Sequence, residues 1–376
     1  MDNRKKRVMS EFERRLKDHI SSHLYRRYGK ENYDELRFGP YKLNPESLTD
    51  RLKRAVKQTI SYKSGERADA LTAQIRNHIP KLERLYLRLN PKGQSLLIQV
   101  ISYRLLGGER VMLPTNNPEF HNAVKSAGQM KIGDESIDPD FLHFTLYKYD
   151  LKPFGSDIQL FFGDLGIAID FILEQYAYKE GNQRIVEAKE GDVILDVGGC
   201  YGDTALYFAE KTGPKGHVYS FEFIPKNLKI LQTNLSLNPE LSPRISVVDN
   251  PVSDISDQTV YFQDRGPASR VSTSPFERQT GTTTSIRIDD FCERNGVSRV
   301  DYIKMDIEGS EPAALRGAEK VIRRDRPKLA IAIYHGWDDF ANIPEWISNL
   351  GLDYTFYLGH YTIHAEETIL FAKPLS

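Results

Sequence analysis

Cysteine is scarce: Cys200 and Cys292 are the only two in 376 residues, and they stand far apart. No disulfide framework can be built from such a pair, and the usage fits a reducing compartment. No Cys/His spacing typical of a zinc site occurs either. Long hydrophobic runs are missing, with nothing near the roughly 18 consecutive apolar residues of a membrane span. Met1-Asp2-Asn3-Arg4-Lys5-Lys6-Arg7 leads into no apolar stretch, so no secretory signal is read there. An excess of one charge is absent too. Lys and Arg number 51 against 52 Asp and Glu, a net charge of −1, and no global field points to nucleic acid or an acidic polymer. Internal repeats and low-complexity tracts are not seen. The expectation is a soluble, cytoplasmic chain, long enough for one large or two modest domains.

What is present is concentrated in one stretch. Val193-Ile194-Leu195-Asp196-Val197 is an apolar run carrying a carboxylate. It turns through Gly198-Gly199-Cys200-Tyr201-Gly202 and re-enters an apolar-periodic segment at Ala205, Leu206, Phe208 and Ala209. The pattern predicts strand, tight turn and helix, with backbone N–H groups able to approach a ligand closely. Asp196 would repel a pyrophosphate but welcome a ligand with an amino group and a sulfonium, such as S-adenosylmethionine. A second strand, Val218-Tyr219-Ser220-Phe221, ends in Glu222, 20 residues after Gly202. A carboxylate there can accept both hydroxyls of an adenosine ribose, a feature nicotinamide and adenosylmethionine enzymes share.

Beyond this point the sequence resembles the FkbM-type methyltransferases. Phe221-Glu222 followed by Pro225, Leu231, Asn234, Leu237 and Asn238 is similar to that family's second block. The third block is closer still: Ile288-Asp289-Asp290-Phe291, then Val300 through Glu311 with its Lys-x-Asp-x-Glu-Gly-x-Glu run, then Leu315 and Gly317-Ala318. The resemblance covers roughly residues 170–375. One departure stands in the glycine turn, where the family usually has Ala-Asn and this chain has Gly199-Cys200. The resemblance implies S-adenosylmethionine as cofactor and a hydroxyl acceptor, often on a sugar or a secondary metabolite. It also implies the class I methyltransferase version of the Rossmann-like α/β fold.

The two halves differ in texture. Residues 1–110 read as a helical accessory domain broken at Gly39-Pro40, Asn44-Pro45 and Asn90-Pro91. Val8, Phe12, Leu16, Ile20 and Leu24 predict an apolar stripe on a long first helix. Residues 1–30 carry ten Lys/Arg against four Asp/Glu, which leaves peripheral docking on a charged partner or membrane surface open beside simple solvation. Residues 111–165 read as a connecting region in which 144–149 and 158–162 pair as a hairpin through Pro153 and Gly155. Residues 166–376 form the expected methyltransferase domain, entered by a helix over 171–176. Glu174 and Tyr176 on it are cofactor-side candidates, beside a role in core packing or solvation. Strands are expected near 193–197, 217–221, 245–249, 301–305, 328–333, 353–358 and 367–373, a seven-stranded, mostly parallel sheet. Residues 255–285, rich in Ser, Thr, Gly and Arg, read as a lid or a surface loop.

Ligands in such sheets bind outside the carboxyl ends of the strands. Asp196, Gly198, Gly199, Gly202, Glu222 and Asp249 (or Asn250) are therefore the cofactor candidates. Asp306, Glu308, Lys304 and His335 are the catalytic ones, with Asp306 the preferred base. Asp306 and Glu308 are also the residues for a divalent metal, if one is used. His360 and His364 come next, in the final hairpin. Lys304 is expected to pair with a carboxylate, and Ser310-Glu311-Pro312 to cap a helix, with Glu311 serving its dipole. A homo-oligomer, a non-catalytic partner-binding protein of the same fold, and a nicotinamide-dependent oxidoreductase remain as alternatives.

Overall fold

The computed structural model describes residues 9–42 and 62–375; Val8 and the Asn44-Pro45 turn lie outside them. Helices α1 (Glu11–His23), α2 (Glu35–Phe38), α3 (Tyr62–Gln74), α4 (Ile79–Arg88), α5 (Pro91–Leu106) and α6 (Pro118–Gln129) come first. Ser10 and Glu13 close a reciprocal capping box on α1, and Phe12, Leu16 and Ile20 are fully buried, as their spacing requires. Asn90-Pro91 starts a helix as well as ending one: the Asn90 side chain accepts from Gly93 N–H and Pro91 occupies the first turn of α5. On the basic first helix, Arg15 donates to the Tyr86 hydroxyl at 2.6 Å and Lys17 lies 2.7 Å from Asp69, so two of its cations are tied to their own chain.

Two small sheets precede the main one. β1 (Lys131–Ile137), β2 (Leu146–Asp150) and β3 (Gln159–Phe162) form an antiparallel sheet whose β2–β3 hairpin is the expected one. β1, largely exposed, carries no apolar alternation by which to foresee it. β4 (Tyr178–Glu180) and β5 (Gln183–Val186) make a short ribbon. The expected helix over 171–176 is instead a wide-turned helical segment at 167–172, ended by Glu174 at a positive φ of 55°.

The main sheet contains β6 (Val193–Val197), β7 (His217–Phe221), β8 (Ile245–Val248), β12 (Tyr302–Met305), β13 (Lys328–Ala332), β14 (Tyr354–His360) and β15 (Thr368–Pro374). Their order is β14-β15-β13-β12-β6-β7-β8, and β15 alone runs against its neighbours. Near-continuous apolar runs suit strands buried on both faces. Register matters for function: Val197 pairs with both Met305 and Phe221, so Gly198, Glu222 and Asp306 emerge side by side at one edge. Between β8 and β12, residues 255–285 are not a plain loop. They carry a small antiparallel sheet of β9 (Thr259–Gln263), β10 (Arg270–Ser272) and β11 (Gly281–Thr284).

Helices α7 (Asp203–Thr212), α8 (Pro225–Ser236), α9 (Ile288–Arg294), α10 (Glu311–Gly317), α11 (Glu319–Asp325) and α12 (Trp337–Asn349) complete the layers. The N-terminal helices share their core with the sheet: Phe12, Leu16, Leu97 and Ile101 belong to one apolar cluster with Leu195, Ile303 and Ile331. Among the described residues, no helix is long and apolar enough to cross a membrane.

Candidate active site

One cavity of about 1430 Å³ opens at the carboxyl edge of the sheet. It is bounded by the glycine turn, the ends of β7, β8, β12 and β13, the β9–β11 insertion, and Arg37 and Arg104 from the N-terminal helices. Ligand pockets usually measure roughly 300–1,000 Å³, so there is room for two molecules side by side.

The glycine turn is shaped by its surroundings. Gly198 has φ +94°, and a Cβ there would stand 2.0 Å from the Asp306 carbonyl oxygen. A Cβ on Gly199 would meet Ser220 Oγ at 2.1 Å. The carboxylate before the turn does not face the cavity. Asp196 is fully buried, accepts from the Thr204 and Ser220 hydroxyls at 2.9 and 2.8 Å, and lies 3.1 Å from Lys304 Nζ. Lys304 also donates to the Gly198 carbonyl at 2.5 Å. Burial opposes its charge, but Asp196, Asp306 and Asp203 together hold the ammonium above its ordinary value. Lys304 thus clamps β12 to the turn, the pairing its place in the strand suggested, and Asp196 neutralises it.

The carboxylates that do face the turn are Asp203, at the start of α7, and Asp170. Asp203 is pushed up to about 6, chiefly by burial, and its Oδ1 is buried without a hydrogen-bond partner. Asp170 is raised well above the ordinary range by burial and by Asp203 beside it. Glu222 lines the cavity as expected. Its Oε1 accepts from the N–H groups of Phe223 and Ile224, both at 2.7 Å, and its Oε2 accepts from Asn227 at 3.0 Å. Burial nevertheless raises it to about 7. Asp249 is a correction: it is exposed and outside the cavity, and its neighbour Asn250 lines the wall. Successive residues at a strand end point to opposite faces, so a single step decides the matter.

At the other end stands Asp306. It accepts from the hydroxyls of Tyr176 at 3.1 Å and Tyr334 at 3.2 Å, and its Oδ1 is 3.3 Å from His335 Nε2. Burial would raise it, yet His335, Lys304 and Tyr176 hold it below its ordinary value. His335 itself sits among three carboxylates: Asp306, Glu308 at 3.7 Å and Glu311 at 3.2 Å. Burial disfavours its charge, but Asp306 and Glu311 raise it to about 11, so the ring is an imidazolium and no general base. Glu308 is about half exposed on the cavity wall, in a left-handed turn with φ 56°. Glu311 departs from its expected service to the helix dipole: it bends back, fully buried, and accepts from Ile307 N–H at 2.7 Å.

Several expectations fall away from the site. Glu174 lies outside the cavity wall, held by Arg184 at 2.5 Å, Lys211 at 2.8 Å and Lys179. Burial would raise it, but these cations bring it down to about 2, so it anchors the entry segment. His360 bonds Thr368 at 2.8 Å and His364 packs on Phe38; neither lines the cavity, and burial lowers both to about 3. Glu367, between them and β15, does line it. It accepts from Gln175 at 2.6 Å and from the Tyr334 hydroxyl at 3.3 Å, and burial together with Asp306 raises it to about 8. Asp170, Tyr334 and Glu367 were missed because no local motif marks them, whereas Asp203 directly follows the glycine turn and its place there was the available signal.

A sheet in this order, with its reversed strand inserted second from the edge and a glycine turn after β6, defines the class I methyltransferase fold. Residues 196–354 match the model of the methyltransferase FkbM domain. Protein-L-isoaspartate O-methyltransferase of Methanothrix thermoacetophila is 32% identical over 88 residues, 23% of this chain and 38% of that one. The 2-O-methyltransferase NoeI of Sinorhizobium fredii is 25% identical over 151 residues, 37% of this chain and 62% of that one. The chain therefore spans less than two thirds of the length of either relative. The crystal structure of methyltransferase FkbM from Methylobacillus flagellatus superposes with a TM-score of 0.49 at 21% identity, over 80% of this chain and 60% of that one.

Proposed function

We propose that this protein transfers a methyl group from S-adenosylmethionine to a hydroxyl of a saccharide or similar small polyol. One observation carries the reading: a single cavity joins a polar wall fitted to an adenosyl amino acid with a second wall of carboxylates and tyrosines. The first wall holds buried acceptors with nothing to accept from, among them Asp203 Oδ1 and Asn227 Oδ1, beside Glu222. An α-ammonium and a ribose diol supply the donors those atoms lack, so the residues fit the cofactor. Asp170 and Asp203 take the ammonium in this reading, in place of the sealed Asp196, and Glu222 with Asn227 takes the ribose.

Bound there, S-adenosylmethionine supplies an electrophilic methyl group on a sulfonium leaving group. The chain must then align an acceptor oxygen and remove its proton. Asp306 is too weakly basic for that, pinned by two tyrosines and His335. Glu367, linked to Asp306 through the Tyr334 hydroxyl and raised to about 8, takes the proton, and Asp306 orients the acceptor. The sugar hydroxyl is the finer part of the proposal; the name of the 2-O-methyltransferase relative agrees with it. The test is calorimetric titration with S-adenosylhomocysteine and with NAD, on wild type and Glu222→Ala. Micromolar binding of the former, lost in the variant, with NAD silent, supports the cofactor assignment; binding of NAD alone sinks it. Methyl transfer to a panel of saccharides then separates sugar from other acceptors.

A further inference from the structure

His335 stands at the centre of a cluster of acidic side chains. Three carboxylates approach its ring within 3.7 Å. Among the described residues, no lysine or arginine forms an ion pair with Asp306, Glu308 or Glu311; the nearby Lys304 is bonded to Asp196 and the Gly198 carbonyl. Glu311 is fully buried, and its Oε2 has no hydrogen-bond partner. Both ring nitrogens of His335, a side chain nine-tenths buried, also lack a well-directed hydrogen bond despite the short approaches. Unpaired buried polar atoms of this kind are costly unless something binds them.

The same atoms share one small volume. A ligand atom from each of Asp306, Glu311 and His335 lies within 4.8 Å of the others. The backbone explains the convergence: Asp306 ends β12, His335 follows β13 next to it, and the left-handed turn at Glu308 and Gly309 brings Glu311 back. We propose that Asp306, Glu311 and His335 bind a divalent cation, with Glu308 at its rim and its open positions facing the cavity, where an acceptor hydroxyl takes one of them. One imidazole with two carboxylates is a mixed N/O donor set suited to Mn²⁺ or a similar first-row ion, without the thiolates a soft metal would select. A hydroxyl held by the cation would be made more acidic.

This deepens the methyltransferase reading and rests on it, and the test separates the two. The full chain, treated with chelator and desalted, is titrated with MnCl₂ while free Mn²⁺ is followed by electron paramagnetic resonance. Calorimetry with S-adenosylhomocysteine is run on the same samples. One bound ion per wild-type chain is expected, weakened at least about tenfold in Glu311→Gln, with S-adenosylhomocysteine affinity within about twofold of wild type. His335→Gln serves if the first variant fails to fold, and the same loss is expected. No binding of Mn²⁺ by wild type, or unchanged affinity in the folded variants, overturns the cation site. S-adenosylhomocysteine bound without Mn²⁺ sinks only this proposal; silence towards both sinks the reading beneath it as well.

Discussion

The support beneath the glycine turn and the acceptor end of the cavity are built on opposite principles. Beneath the glycine turn the charges are settled by the chain itself: Asp196 has two hydroxyl donors and an ammonium, and Lys304 has a carboxylate and a carbonyl. At the acceptor end Asp306, Glu308, Glu311 and Glu367 crowd round one histidine and two tyrosines, with buried atoms left unpartnered. The first arrangement fixes a shape. The second stores chemistry that only a bound molecule or ion can complete.

The largest expected effect tests the settled end. Lys304→Met removes the partner of a fully buried carboxylate and should cost about 3–5 kcal/mol of stability. Thermal melting followed by circular dichroism should show the transition move down by many degrees. A melting point within a degree of wild type would break the contrast, since Asp196 would then need no counter-charge.

Glu367→Gln should do the reverse. Turnover should fall on the order of 10²–10⁴-fold, while melting temperature and S-adenosylhomocysteine affinity change little. Kinetics on an accepted saccharide with calorimetry on the same preparation checks both halves. A variant retaining most of its turnover would return the proton to Asp306 or to solvent.

The contrast also maps what could be read from the sequence. The main-sheet strands were legible because each is an apolar run bounded by turns, and Glu222 and Asp306 because strand ends face ligands in this fold. Asp196 was legible as a residue but not in its role: only the register of β6 against β12, which sets it opposite Lys304, reveals that its charge is already cancelled. Glu367 and Asp170 lie far from the motifs, and tertiary packing alone brings them in. His360 and His364 sit on the same final hairpin segment as Glu367 yet pack away from the cavity, which no periodicity in so short a segment could tell.

A pH profile sharpens the comparison at the cofactor end, through Glu222. Its folded-state value, about 7, lies above the ordinary 4.5 because burial disfavours the charge. The group therefore stabilises the ligand-free fold fully below about 4.5, and that contribution is lost as pH rises through about 7. Ribose hydroxyls donate best to the ionised carboxylate, so S-adenosylhomocysteine affinity should climb several-fold between pH 6 and 8. In Glu222→Gln the calorimetric profile should be flat across that interval; an equal slope in both proteins would assign the titration to Asp203 or Asp170 instead.

The smallest effect is expected in the turn itself. Cys200 has φ 41°, in the left-handed region, and its thiol is raised well above its ordinary value, chiefly by burial. It is thus no reactive nucleophile at neutral pH. Asparagine tolerates left-handed backbone better than cysteine, and it is the residue the family usually carries there. Cys200→Asn should shift stability by no more than about 0.5 kcal/mol, because the geometry of the turn is set by Gly198 against the Asp306 carbonyl and by Gly199 against Ser220. Calorimetry then isolates the side chain's own contribution: unchanged S-adenosylhomocysteine affinity means the cofactor end is shaped by backbone and glycine, whereas a tenfold gain would mean that this turn lacks a hydrogen bond the asparagine restores.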